Sequence, residues 1–147
     1  MTNEFFMQQA LEFAKKAALV GEVPVGAVIV KNNTIIAHGL NTVETEHNPA
    51  GHAEINAIKS ACAALNTTRL TGCILYTTLE PCAMCAGAII HARIAKVVFA
   101  AHDDKFGAAG SICNLFAMNF NHNVDIKSGV LAGESITLLQ NFFKSKR

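Results

Sequence analysis

Apolar side chains recur at helical spacing at the start of the chain. Over residues 3–20, Phe6, Ala10, Phe13 and Ala17 fall at i, i+4, i+7 and i+11, with Met7, Leu11, Ala14 and Ala18 beside them. Gln9, Glu12, Lys15 and Lys16 take the other side. This predicts an amphipathic helix lying on one face of a sheet, with Gly21 as its stop. The period then changes. Residues 25–31 form a β-branched apolar run with no polar alternation, which predicts a strand buried on both faces. Asn32-Asn33 tolerates positive φ, and residues 34–37 return as a second strand, so the two make an antiparallel hairpin.

Residues 38–51 are mostly polar and predict a loop in which Asn41, His47 and Asn48 are candidates to face a site, with His47 read as a turn former. A second helix is expected over 52–65, with Ile55, Ile58, Cys62 and Leu65 as its apolar stripe. A turn covers 66–72. A third strand follows at 73–77, a third helix from Pro81 to about His91, and a fourth strand at 96–100. Strand, helix, strand in that order predicts parallel pairing through a right-handed crossover. Residues 101–111 form a loop whose Gly107-Ala108-Ala109-Gly110 has neither of the common phosphate-loop spacings. Ser111 is expected to cap a short helical turn through Phe116, and residues 119–123 form another loop. Residues 124–127 suggest a short fifth strand. Residues 131–144 suggest a closing helix, with Leu131, Ile136, Leu138, Leu139, Phe142 and Phe143 as its apolar surface.

With 147 residues the chain predicts a single domain, 1–147, large enough to bury a core without disulfide staples. Its 51% hydrophobic content excludes a disordered chain. No apolar run approaches the ~20 residues of a membrane span, and Met1-Thr2-Asn3-Glu4 lacks the start of a signal peptide. A cytoplasmic enzyme is the default expectation. The net charge of +1 neither marks nor excludes a nucleic-acid partner, because a local patch suffices; Lys144, Lys146 and Arg147 cluster at the end.

The candidate chemistry lies in two short segments. His52-Ala53-Glu54 opens one predicted helix, and Pro81-Cys82-Ala83-Met84-Cys85 opens another. Cys82 and Cys85, three apart, put both thiols on one face of a first turn, where the positive helix end favours thiolates. With His52 they make three protein ligands and leave a fourth position open, the count of a catalytic rather than a structural zinc. Glu54, two residues from His52, points elsewhere on a helix and suits a proton carrier beside the metal rather than a ligand. Both ligand segments are expected at the carboxyl ends of strands. H-x-E followed by P-C-x-x-C is the signature of the zinc nucleobase and nucleoside deaminases. Cys62, Cys73 and Cys113 sit in apolar contexts and are expected as small core residues in a reducing compartment.

Other readings of the same residues stay open. C-x-x-C alone fits a redox pair or half of a structural zinc site, and a non-catalytic RNA-binding protein could keep such a zinc. His52-x-Glu54 is unexplained in the redox case, and an intact Glu54 is unexplained in the binding case.

Over nearly its whole length the chain resembles the bacterial tRNA-specific adenosine deaminases. The matching stretches are Glu22-Val23-Pro24-Val25-Gly26-Ala27-Val28, His52-Ala53-Glu54, residues 78–88 around the cysteines, Gly107-Ala108-Ala109-Gly110-Ser111, and Phe142-Phe143 with its basic followers. The resemblance implies an α/β fold of the cytidine deaminase-like kind, three layers (α/β/α) around a mixed five-stranded sheet with helices on both faces. It implies one zinc ion per subunit, a homodimer, and conversion of the wobble adenosine (position 34) of a tRNA anticodon to inosine. His52, Cys82 and Cys85 match the zinc ligands and Glu54 the proton shuttle. Asn41 matches a contact to the target base, and Val23 and Pro24 match part of the pocket wall. Phe142, Phe143, Lys144, Lys146 and Arg147 are candidates for gripping the RNA. The chain departs from the family at Ala101-His102-Asp103-Asp104, where some relatives carry Arg, and over residues 115–123, although Asn121-His122 matches. A deaminase of a free base or nucleoside, such as guanine or cytosine, would share the metal and Glu54.

Overall fold

Alternation along the strands divides the core into two layers. A computed structural model describes residues 1–146; Arg147, one of the expected RNA contacts, lies outside the described residues. The elements are α1 (Asn3–Leu19), β1 (Gly26–Lys31), β2 (Thr34–Leu40), α2 (Ala53–Leu65), β3 (Ile74–Leu79), α3 (Ala83–His91), β4 (Lys96–Ala101), β5 (Asp125–Lys127) and α4 (Ala132–Ser145). The sheet order is β2-β1-β3-β4-β5. β1 runs antiparallel to β2 and β3, whereas β3, β4 and β5 are parallel. This is the mixed five-stranded α/β/α arrangement expected above.

Ala27 and Ile29 of β1, Leu75 of β3 and Val97 of β4 face α2 and α3, where they pack on Ala53, Ala57, Ala61 and Ile89. The intervening Val28, Val30, Tyr76 and Val98 face α1, where they pack on Phe6, Met7, Ala10 and Leu11, with Leu138 of α4 against the same cluster. All but the last residue of β1 are buried, as the continuous apolar run predicts. Asn32 and Asn33 take φ of 50° and 62°, so the expected two-residue turn closes the hairpin.

Register brings the site ends together. Gly26 pairs with Leu40, Ala27 with Thr77, and Leu79 with Ala101. The start of β1 and the ends of β2, β3 and β4 therefore share one sheet edge. At that edge α2 lies in backbone contact with β2: a Cβ at Gly39 would collide with the Ala53 carbonyl oxygen.

Several expectations change in detail. The buried face of α2 is Ala53, Glu54, Ala57 and Ala61, while Ile55, Ile58, Cys62 and Leu65 are only half-buried. Small residues win this face because the helix backbone approaches β2 too closely for larger ones. α3 begins at Ala83, with Cys82 as its N-cap, so Pro81 stands before the helix rather than in its first turn. The short turn at Leu115–Ala117 is capped by Asn114, not Ser111. Of the three spare cysteines only Cys73 is buried; Cys62 is half-buried and Cys113 exposed. On α4 only Ser135 is fully buried, its Oγ donating to the Thr78 carbonyl at 2.6 Å. Ile136 and Phe143 are exposed, so the helix carries less core than its apolar count implies.

Candidate active site

Two of the three candidate ligands, His52 and Cys82, stand at helix N-caps. His52 caps α2 and Cys82 caps α3, each with extended backbone, and Cys85 is the third helical residue of α3. An N-cap side chain naturally reaches back over the third helical residue, which brings the Cys82 and Cys85 sulfurs together. Unpaired N–H groups at two helix starts give the site a positive rim that favours bound anions such as thiolates.

His52 Nδ1 lies 3.5 Å from Cys82 Sγ and 3.5 Å from Cys85 Sγ. The three donor atoms lie within 4.8 Å of one another. Bond lengths of ~2.05 Å to nitrogen and ~2.3 Å to sulfur at tetrahedral angles would separate N and S by about 3.6 Å. The donor spacing therefore fits a small tetrahedral metal ion, and one nitrogen with two soft sulfurs suits zinc among the common divalent ions.

Protonation shows how ready the cluster is for a cation. A hydrogen bond from Cys85, opposed by burial, pulls the Cys82 thiol down to about 4. The Cys85 thiol moves the opposite way, because it donates a hydrogen bond to the Cys82 sulfur and is itself buried. The bond to Cys82 raises the His52 imidazole above its ordinary value. One thiolate, one thiol and one imidazole share protons where a cation could take their place.

Glu54, the second residue of α2, is 4% exposed. Burial pushes its carboxyl up to about 7, with the Cys82 thiolate adding to the shift and its own backbone N–H opposing it. A carboxyl poised there can both accept and give a proton near neutral pH.

Asn41 is buried at the end of β2. Its Nδ2 donates to the Val23 carbonyl at 3.4 Å, and its Oδ1 accepts from Val43 N–H at 3.1 Å. Asn41 and Val23 are thus tied together at the sheet edge where Pro24, also buried, enters β1. His47 has φ of 51° and is exposed, and Asn48 Oδ1 accepts from Ala50 N–H, so both shape the loop.

The C-terminal candidates divide. Phe143 and Lys144 line an open groove of about 460 Å³ with Ala101, His102, Ile136 and Gln140. Phe142 instead carries the Lys146 ammonium 5.2 Å from its ring centre. None of the metal-cluster residues lines that groove.

Two buried carboxylates were missed by sequence reasoning. Glu22 accepts from Glu44 N–H, Thr45 N–H and Thr45 Oγ1, and so holds the loop that follows Asn41. Glu80 accepts from Asp103, Ala109 and Ser111 N–H and from Ser111 Oγ. The available signal was an acidic residue set directly against an apolar, strand-adjacent run.

The family model of the MafB19-like deaminases matches residues 1–147. The tRNA-specific adenosine deaminase of Bacillus subtilis is 49% identical, over 99% of this chain and 91% of that protein. A solved tRNA:A34 deaminase, studied for A-to-I editing at the wobble position of transfer RNA, superposes with a TM-score of 0.89 at 42% identity, covering 92% of this chain and 99% of that one. The guanine deaminase of Nitrosomonas europaea superposes with a TM-score of 0.85 at 28% identity, covering 95% and 83%.

Proposed function

The chain belongs to the MafB19-like deaminases, and from its similarity over nearly its whole length to tRNA-specific adenosine deaminases we infer that it is one, converting the wobble adenosine of an anticodon to inosine and ammonia. The observation that carries the reading is the His52–Cys82–Cys85 cluster with Glu54 buried beside it, in a chain similar end to end to enzymes of that name. The guanine deaminase shares the fold at lower identity, which ranks a free-base activity second.

One zinc ion per subunit would be held by His52, Cys82 and Cys85, whose donor atoms cluster within reach of a single ion. When bound, it supplies the Lewis acidity that makes hydroxide available near neutral pH. Glu54 moves the protons: its carboxylate takes one from the attacking water and passes it to the purine ring nitrogen, then serves the departing amine. Water supplies the oxygen that becomes the C6 carbonyl, and the exocyclic nitrogen leaves as ammonia. Near-complete burial of Glu54 supports this role, since a carboxyl with balanced forms gives and takes protons with little penalty.

Asn41 holds the base edge by its amide, and Val23 and Pro24 wall the pocket. Support comes from the tether between Asn41 and Val23. An anticodon base has to be splayed out of its loop to reach a buried site. Phe143 and Lys144 in the open groove, with Phe142 behind them, supply a stacking face and a cation for the flanking nucleotides. The protein acts as a homodimer of single-domain chains in the cytoplasm. Exposed Met84, Met118 and Phe120 support an apolar contact between subunits.

Ammonia release by the zinc-loaded protein tests the reading. An anticodon stem-loop with adenosine at the wobble position is expected to react, and free adenosine, cytidine, cytosine and guanine are not. Release from guanine alone would move the protein to the second reading.

A further inference from the structure

The Glu80 carboxylate has no place in the chemistry above, yet it is among the most completely enclosed polar groups of the protein. The residue is 2% exposed and its side chain fully shielded. Oε1 accepts from Asp103 N–H at 3.0 Å and from Ser111 Oγ, with His102 Nδ1 3.4 Å away. Oε2 accepts from Ala109 N–H at 2.9 Å and Ser111 N–H at 3.1 Å. All of these donors come from one stretch, residues 102–111. Backbone N–H groups converging on an anion in this way form a nest.

The fit leaves no slack. A Cβ at Gly107 would collide with the Glu80 carboxyl carbon, so the loop closes down on the carboxylate. Next to it, Ala108 N–H donates to the Pro81 carbonyl at 2.8 Å, and Gly107 bridges to Cys82 itself. The stretch is thereby fastened to the two residues that lead into the cysteine pair. Its outer side is unlike its inner side: Phe106 is 71% exposed and Ile112 62% exposed, with Lys105 exposed beside Phe106.

We infer that Glu80 is a positioning residue for substrate binding: it fixes residues 102–112 as a rigid ledge beside the cysteine pair, presenting Lys105, Phe106 and Ile112 to the RNA in a preset conformation. The inference rests on the tRNA reading above. A loop ordered before binding does not have to be ordered by the substrate, so its anchor acts on affinity rather than on turnover. An exposed ring with a neighbouring cation on a firm backbone suits single-stranded nucleotides, which stack on it without regard to base identity.

The test is Glu80→Gln in the zinc-loaded full chain, with Ser111→Ala as the milder companion. The carboxamide puts an N–H₂ against N–H donors and loosens the nest. Expected are an unchanged zinc content, faster amide exchange at Asp103, Ala109 and Ser111, and a KM for the anticodon stem-loop raised at least tenfold, with kcat within about threefold. Ser111→Ala, which keeps the carboxylate and its backbone donors, shifts KM the same way by a few-fold, and it decides the matter if Glu80→Gln does not fold. A fall in kcat at constant KM, loss of zinc, unchanged amide exchange, or faster exchange with an unmoved KM would each overturn the inference. A wild-type chain inactive on the stem-loop would instead sink the tRNA reading and this inference with it, and the two failures are told apart by that control.

Discussion

Glu54 and Glu80 are the same residue type, both buried, both within two positions of a cysteine or histidine of the metal cluster, and they behave oppositely. Glu54 sits at a helix start where burial outweighs the donors around it, and its carboxyl rises to about 7. Glu80 is equally hidden, but the Ser111 hydroxyl and three backbone N–H groups overcome its desolvation and hold its carboxyl below the ordinary value. Glu22, with Thr45 and Glu44 as donors, follows Glu80. Low solvent exposure alone therefore does not decide the role of a carboxylate. How deeply it is packed and how many fixed donors it meets decide together: deep packing with few donors leaves a group that exchanges its proton, and many donors make a permanent anion that fastens loops.

The comparison can be broken in order of effect. The largest is at the metal cluster on which Glu54 depends. Stripping the ion with a chelator, or replacing Cys82 by Ser, should abolish ammonia release, with metal content falling in parallel; a Cys82→Ser protein of full activity would remove the metal from the mechanism. Next comes Glu54→Gln, which should lower kcat by roughly 10²–10⁴-fold while zinc content is kept, the range of a lost general acid–base. Turnover retained at the wild-type level would end the distinction between the two glutamates.

Stability should separate them by sign. For Glu54 the folded value of about 7 lies above the ordinary 4.5, so the folded chain is penalised where the group must ionise. In the metal-free protein, Glu54→Gln should stabilise at pH 8 by on the order of 2–3 kcal/mol, and the gain should vanish as pH falls from 7 to 4.5. Glu80 contributes stability above its ordinary value of 4.5 that is lost as pH falls through its lower folded value. At pH 7, Glu80→Gln should destabilise by about 2–3 kcal/mol, because buried donors lose a charged acceptor. Denaturant unfolding of both variants at pH 8, 7 and 5 reads the two signs directly; equal signs would refute the contrast. The smallest effect is expected away from both carboxylates: Phe143→Ala should raise KM for the stem-loop only a few-fold, measured by the same ammonia assay.

Much of the site was legible because its residues are close in sequence. His52-x-Glu54 and Cys82-x-x-Cys85 are each set by one helix start, so local geometry orders them before any tertiary contact forms. The hairpin at Asn32-Asn33 and the buried β1 were legible for the same reason. The stripe on α2 was misread because Ile55, Ile58, Cys62 and Leu65 follow hydrophobic periodicity, while the buried face is chosen by how near the backbone of β2 lies. The apolar count of α4 overstated its burial, since periodicity cannot say how much of a terminal helix finds a surface to cover. Ser111 looked like a cap because the acceptor of its hydroxyl, Glu80, stands 31 residues away.

The sequence by itself determined the layers and the candidate chemistry: three side chains that could hold a metal, a carboxyl two residues from one of them, and strands and helices whose periods specify an α/β fold. Those follow from spacings of a few residues, which local backbone geometry converts directly into shared faces. Only the tertiary structure decided that Glu22 and Glu80 fasten loops and that His52 and the cysteines meet at 3.5 Å. It alone set Phe143 and Lys144 against His102 in one groove. Each of these is a meeting of segments 22 or more residues apart, and the register of the strands, not any local pattern, brings their ends to the same edge of the sheet.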